Sequence, residues 1–175
     1  MKNIAIILGG TSSERKISLM SGKAVYKAIQ RLAGFRPIKY DAKTDLEKLA
    51  KDKEKIDLVF IALHGAGGED GEIQKYLEKL NLPYTGSDPK ASSIAFDKVK
   101  AKQIFRQNGI DVLPHFVLTQ GSQIPKNIQY PIVIKPKNGG SSIGIAIAKN
   151  FNELLQKLPI GFKCCRKVIL EKCII

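Results

Sequence analysis

Three short runs of branched aliphatic residues each end in a loop dense with glycine, and that repeated strand-into-glycine pattern constrains the fold more than any other feature. Asn3 to Leu8 runs into Gly9-Gly10-Thr11-Ser12-Ser13-Glu14-Arg15, and Asp57 to Leu63 into His64-Gly65-Ala66-Gly67-Gly68-Glu69-Asp70-Gly71. Tyr130 to Lys135 runs into Pro136-Lys137-Asn138-Gly139-Gly140-Ser141-Ser142-Ile143-Gly144. Amphipathic stretches separate the strands of the first half: Lys16 to Leu32, with apolar positions at Ile17, Val25, Ala28, Ile29 and Leu32, and the charged stretch Leu46 to Lys53. Strands alternating with helices predict a parallel sheet covered by helices, with its functional loops at the carboxyl ends of the strands.

Arg36 to Tyr40 reads as the remaining strand of this first part, and Glu72 to Leu80 as a helix. The pattern then changes. Helices are predicted at Asp88 to Ala95 and Asp97 to Asn108, a strand at His115 to Leu118, a returning strand at Gly144 to Ala148, a helix at Phe151 to Leu158 and a last strand at Lys167 to Glu171. The fold class is therefore α/β, with a parallel-sheet domain over residues 1–96 and a smaller α+β part over residues 97–175. The last strand, with Ile174 and Ile175 beyond it, is expected to expose an open apolar edge and to make the chain poorly soluble.

The net charge of +13 raises the question of nucleic acid. The lysines are scattered among acids, as in Lys51-Asp52-Lys53-Glu54-Lys55, which describes a solvated face rather than a phosphate-tracking stripe, and no nucleic-acid-binding module is visible. No apolar run approaches the roughly 20 residues of a membrane-spanning helix. Lys2 leads directly into a strand-like run, with no secretory h-region. A cytoplasmic protein is expected. Cys164, Cys165 and Cys173 lack metal-binding spacing, and adjacent cysteines are poorly placed to bridge each other, so reduced thiols are expected.

The loops carry the chemistry. The first can turn its amides toward a ligand at a helix N-terminus, or can simply cap that helix through Ser12 or Ser13. The second has four glycines in eight residues beside a His, a Glu and an Asp, more conformational freedom than a plain turn requires. The third combines unobstructed amides, hydroxyls and Lys135, the materials of a phosphate cradle, although an exposed hairpin turn would look similar. It is not a P-loop, because the lysine precedes the glycines.

Gly-Gly-Thr-Ser-Ser-Glu-Arg, His-Gly-x-x-Gly-Glu-Asp-Gly, Tyr-Thr-Gly-Ser, Asp-Lys and Lys-Pro-x-x-Gly-Gly-Ser-Ser-x-Gly occur here in one order. In that order the chain resembles the D-alanine:D-alanine ligases of the ATP-grasp superfamily, along essentially its whole length. The resemblance implies a Rossmann-like N-terminal domain followed by part of an ATP-grasp domain. It implies a reaction in which ATP phosphorylates one D-alanine carboxylate and the amine of a second D-alanine displaces phosphate, for peptidoglycan synthesis.

Residue by residue, the resemblance makes Glu14 the group that meets the ammonium of the first D-alanine, in a hydrogen-bonded chain with Ser141; both would be catalytic. It places His64 beside the amino-acid site. Lys98 and Lys135 match lysines that contact ATP phosphates, with Gly140 and Ser142 in the loop closing over them. Glu171 and Lys172 match a strand-end pair at the adenine, with the backbone of Cys173 and Ile174 facing the base edge. The partners implied are ATP, magnesium and D-alanine, and a homodimer for the full-length family.

The magnesium-binding Asp, Glu and Asn of the family, and its arginine at the reacting carboxylate, have no match in these residues. The chain alone is therefore expected to be inactive. Lys75 stands where the family carries a small residue, and Cys164-Cys165-Arg166 is also atypical.

Overall fold

A computed structural model describes residues 1–174, leaving Ile175 outside the described residues. The residues group into two units, Met1–Ile94 and Ala95 onward, each with its own sheet. The first contains β1 (Lys2–Leu8), α1 (Arg15–Ile29), β2 (Phe35–Asp41), α2 (Leu46–Lys51), β3 (Leu58–Ile61) and α3 (Glu72–Lys79). Its strands are parallel in the order β2-β1-β3. β1 is central and covered on both faces, which is why its sequence is continuously apolar rather than alternating.

Ala5 and Ile7 pack with Tyr40, Leu49, Val59 and Leu77 on one side of the sheet. Ile6 and Leu8 pack with Val25, Tyr26 and Ile29 of α1 on the other. Tyr40 is almost wholly enclosed, and burial, then its hydrogen bond to Asp52, push its hydroxyl up to about 12.

α1 keeps part of its expected face, Val25 and Ile29, and departs from the rest. Ile17 and Leu32 are 49% and 55% exposed, and the helix ends at Ile29. The residues it buries are Ser18 and Gly22, one turn apart. A Cβ at Gly22 would lie 2.6 Å from the Leu8 Cβ, so a small residue is what lets the helix backbone close on β1. A reading that assigns large apolar residues to the core misses a contact built on small ones.

The second unit contains α5 (Lys98–Gln107), β4 (His115–Thr119), β5 (Ile132–Pro136), β6 (Ala146–Ala148), α6 (Phe151–Phe162) and β7 (Lys167–Lys172), reached through α4 (Pro89–Phe96). Its sheet is antiparallel, in the order β4-β7-β5-β6. This corrects the expectation of an open terminal edge. β7 lies between β4 and β5, with Val168, Ile169 and Leu170 fully buried, and the edges are β4 and β6. α6 begins at Asn150, whose side chain accepts from the Glu153 amide at 2.9 Å, and continues past Leu158 through Pro159 to Phe162. The extra turn brings Gly161 against Val168 and Ile134. No helix among the described residues is long and apolar enough to cross a membrane, and the three cysteines are free thiols.

Candidate functional site

In the first unit the loops after β1 and β3 meet at the carboxyl ends of their strands. Ser12 Oγ donates to the His64 carbonyl at 2.7 Å and accepts from the Glu14 amide at 3.1 Å. Ser12 therefore supports the start of α1, whereas the N-cap position itself is Glu14, whose side chain makes no capping bond. Ser18 Oγ accepts from the Gly9 amide and donates to the Ala62 carbonyl, tying the same two strand ends together from inside the core.

The Glu14 carboxylate is buried beside the second loop: a Cβ at Gly65 would lie 2.8 Å from Glu14 Oε2. The His64 ring reaches Ser21 Oγ at 3.0 Å through Nε2, while Nδ1 lies 3.9 Å from Glu69 Oε1. A cavity of about 230 Å³ opens between the loops, lined by Gly10, Ser12, Leu63, His64, Gly67 and Tyr76 among others. His64 lines it and Glu14 does not.

Arg15 and Asp41 brace this site and are not singled out by sequence reasoning. Arg15 Nη1 and Nη2 reach Asp41 Oδ1 and Oδ2 at 2.8 and 2.6 Å, and Nη1 also donates to the Gly10 carbonyl. Asp41 Oδ1 accepts from the Gly10 and Lys43 amides. The Arg15 hydrogen bond, against some burial, holds the Asp41 carboxyl well below the usual carboxylate range. A depressed folded-state value contributes stability that is present above the unfolded value, about 4, and is lost as pH falls toward the folded one. Arg15→Met is therefore expected to be less stable than wild type at neutral pH, with the gap narrowing below about pH 4. Urea unfolding across pH reads this, and a gap that stays constant into strong acid would refute the role given to Asp41.

The second unit gathers Lys98, Lys135 and Glu171, the first two from the phosphate group and the third from the adenine group of expected residues. All three line a cleft of about 470 Å³ together with Lys102, Phe105 and Asp111. Glu171 is 3% exposed and is shared between Lys102, on Oε1, and Lys135, on Oε2. Burial alone would raise its carboxyl, but the hydrogen bonds from Lys102 and Lys135 and their charges outweigh that and lower it. Lys98 is lowered by burial and then by the neighbouring Lys135 charge.

The glycine and serine segment is the loop of the β5–β6 hairpin, so the plain hairpin reading describes its topology. Its conformation is less ordinary. Ser141 and Ser142 both have positive φ, 51° and 58°, and nothing crowds Gly140. Lys98 Nζ donates to the Gly139 carbonyl at 2.6 Å and the Lys98 amide donates to the Lys137 carbonyl at 3.0 Å, so α5 carries one side of the loop. Asp97 caps α5 through the Val99 and Lys100 amides and pairs with Lys137.

The other expected adenine residues follow Glu171 directly in the chain. The Lys172 amide donates to the Pro114 carbonyl and the Cys173 amide to the Pro131 carbonyl. Ile174 is 72% exposed. None of the three lines the cleft that holds Glu171. Lys102 and Lys137 escaped the sequence reading, although Lys102 stands four residues after Lys98, the spacing that shares a helix face.

A family model described as D-ala D-ala ligase N-terminus matches residues 35–87, and one described as D-ala D-ala ligase C-terminus matches residues 104–175. The D-alanine–D-alanine ligase of Syntrophobacter fumaroxidans is 38% identical over 174 residues, which is 97% of this chain and 56% of that protein. That of Buchnera aphidicola subsp. Schizaphis graminum is 41% identical over 181 residues, 98% of this chain and 58% of that protein. The crystal structure of the Bacillus anthracis D-alanine–D-alanine ligase complexed with ATP superposes with a TM-score of 0.87 at 31% identity, covering 100% of this chain and 60% of that one. The chain thus spans little more than half the length of the relatives it matches. With the two models matched in order and the curated relatives aligned along almost all of it, the chain belongs to the D-alanine–D-alanine ligase family.

Proposed function

We propose that this chain supplies the first amino-acid site and part of the ATP site of an ATP-dependent ligase that joins two D-alanines for cell-wall synthesis. The observation that carries the reading is the convergence of Lys98 and Lys135 on one cleft whose neighbouring Gly and Ser loop is held by Lys98 itself. Cations beside a Gly and Ser loop suit the β- and γ-phosphates of ATP, since positioned cations and donors stabilise charge that moves onto phosphate oxygens during transfer. The ATP complex of the Bacillus anthracis relative supports the choice of nucleotide.

In this reading Lys98 and Lys135 bind the phosphates, Gly140 and Ser142 belong to the loop that closes over them, Ser141 keeps the catalytic role that the resemblance gives it, and Glu171 faces the base side of the cleft, with Lys172, Cys173 and Ile174 following it. In the first unit the Glu14 carboxylate receives the ammonium of D-alanine, and His64, whose ring is held by Ser21, borders that site. Magnesium, by family, would neutralise phosphate charge. Among the described residues no group of three or more His, Cys, Asp or Glu could hold a metal ion, so the proposal assigns it no ligand here. A cytoplasmic location and a dimer of the whole enzyme belong to the same reading.

Calorimetric titration with Mg-ATP and, separately, with D-alanine tests it. Wild type is expected to bind both; Lys135→Ala is expected to lose the nucleotide and keep D-alanine, and Glu14→Ala the reverse. Loss of both ligands in either variant, or no binding by wild type, would overturn the assignment.

A further inference from the structure

The Glu171 carboxylate has two cationic partners where one would neutralise it. Lys102 takes Oε1 and Lys135 takes Oε2, with the side chains of Lys102, Lys135 and Glu171 15%, 29% and 4% exposed. The two lysines have different surroundings. Lys135 stands beside Lys98 at the end of β5, where the hairpin loop begins, and is the more exposed of the pair. Lys102 comes from the middle of α5 and is the more enclosed.

We propose that Lys102 is a positioning residue for nucleotide binding: it keeps the Glu171 carboxylate paired when Lys135 turns from that carboxylate to the nucleotide's phosphates. The inference rests on reading this cleft as the ATP site. A nearly dry carboxylate stripped of its only cation is strongly disfavoured, because desolvation is no longer offset. With one lysine, phosphate binding would have to break the sole ion pair of Glu171. With two, Lys135 is transferred at little cost and Glu171 remains ionised on Lys102. Lys102 touches no phosphate in this scheme and acts through Glu171 and Lys135.

A proton count separates this role from simple support of the fold. In Lys102→Met, a departing Lys135 leaves Glu171 without a cation, and the carboxylate takes a proton from solvent instead. The other charged or titratable groups around Glu171 are Lys98 on α5, Asp111 in the segment after it, and His115, opposite Glu171 on β4 with Arg106 near it. All are common to wild type and variant, as is the nucleotide's own titration, so the difference in uptake reports Glu171.

The experiment is calorimetric titration of the full chain with Mg-ATP in two buffers of different ionisation enthalpy, at pH about 6 and about 8. Lys102→Met is expected to bind on the order of 10- to 100-fold more weakly at the higher pH. Its affinity should recover toward wild type at the lower pH, with additional uptake approaching one proton. Lys102→Arg should behave as wild type, and adding Glu171→Gln to Lys102→Met should abolish the extra uptake. Should Lys102→Met lose its circular-dichroism spectrum, Lys102→Gln, which keeps a donor for Oε1 without the charge, carries the same test.

Wild-type binding together with unchanged affinity in Lys102→Met overturns the inference and leaves the ATP site standing. Weaker binding with no change in proton uptake also overturns it, since that is the mark of a structural defect. Failure of wild type to bind Mg-ATP overturns the ATP-site reading, and this inference falls with it.

Discussion

Gly71→Ala is expected to destabilise the first unit by about 2–5 kcal/mol, while Gly67→Ala, four residues earlier in the same loop, costs only about 1–2 kcal/mol. Both glycines have positive φ, 94° and 80°, so both substitutions place an L side chain in the left-handed region. The difference lies in the space beyond. A Cβ at Gly67 meets nothing within 4 Å, whereas one at Gly71 drives into the Pro89 backbone, with the carbonyl carbon at 3.1 Å and Cα at 3.2 Å. Pro89 opens α4, so this obstacle is a helix end and not the tip of a flexible side chain. Relief requires moving either α4 or the N-terminus of α3, which Gly71 caps. Urea denaturation of the two variants followed by circular dichroism measures the gap, and equal destabilisation would mean that the Pro89 backbone yields without cost.

Much of this molecule was legible in its residues, and the illegible part has definite physical causes. The alternation of β-branched runs with amphipathic stretches conveys the parallel first sheet because helix and strand periods are local properties. Strand order in the second sheet is not local. β7 looks like a terminal edge in sequence but lies between β4 and β5, since order depends on which long-range pairings bury the most apolar surface. On α1 the apolar pattern locates Val25 and Ile29 on the sheet but not the closest contact with β1, which uses Ser18 and Gly22, because hydrophobicity carries no signal for close approach.

The candidate site shows the same division. Gly-rich loops announce themselves, with His64 and Lys135 on or beside them, whereas Lys98 and the role of Glu14 were read only from the family resemblance, and the fold is what brings Lys98 to the Gly139 carbonyl. Arg15 and Asp41 are 26 residues apart, and Lys102 and Glu171 belong to a helix and a distant strand. Arg15, Asp41 and Lys102 are unremarkable surface-type residues until the fold supplies their partners, and Glu171, which the resemblance does single out, gives no sign in sequence of its pairing with Lys102. Charged groups that brace a site are therefore the ones a linear reading loses.

Gly65→Ala is expected to weaken D-alanine binding by about 10- to 100-fold while leaving Mg-ATP binding unchanged. Gly65 has φ 72°, and a Cβ there would stand 2.8 Å from Glu14 Oε2 and 3.4 Å from Ser12 Cβ and Oγ. The Glu14 carboxylate is the far end of a rotatable side chain, so it moves aside and the cost to stability is mainly backbone strain, about 1–2 kcal/mol. Displacement matters more for binding than for folding. If Glu14 receives the ammonium, the substitution forfeits a charge-assisted hydrogen bond of about 1.5–3 kcal/mol, and each 1.4 kcal/mol is a factor of about ten. Glu14→Gln should show a comparable loss, and the double variant should lose little more than either alone, because both act on one interaction. Titration of the three variants with D-alanine decides the matter. Wild-type affinity in Gly65→Ala would remove Glu14 from the ammonium site, whereas additive losses would mean that Gly65 and Glu14 serve the substrate through separate contacts.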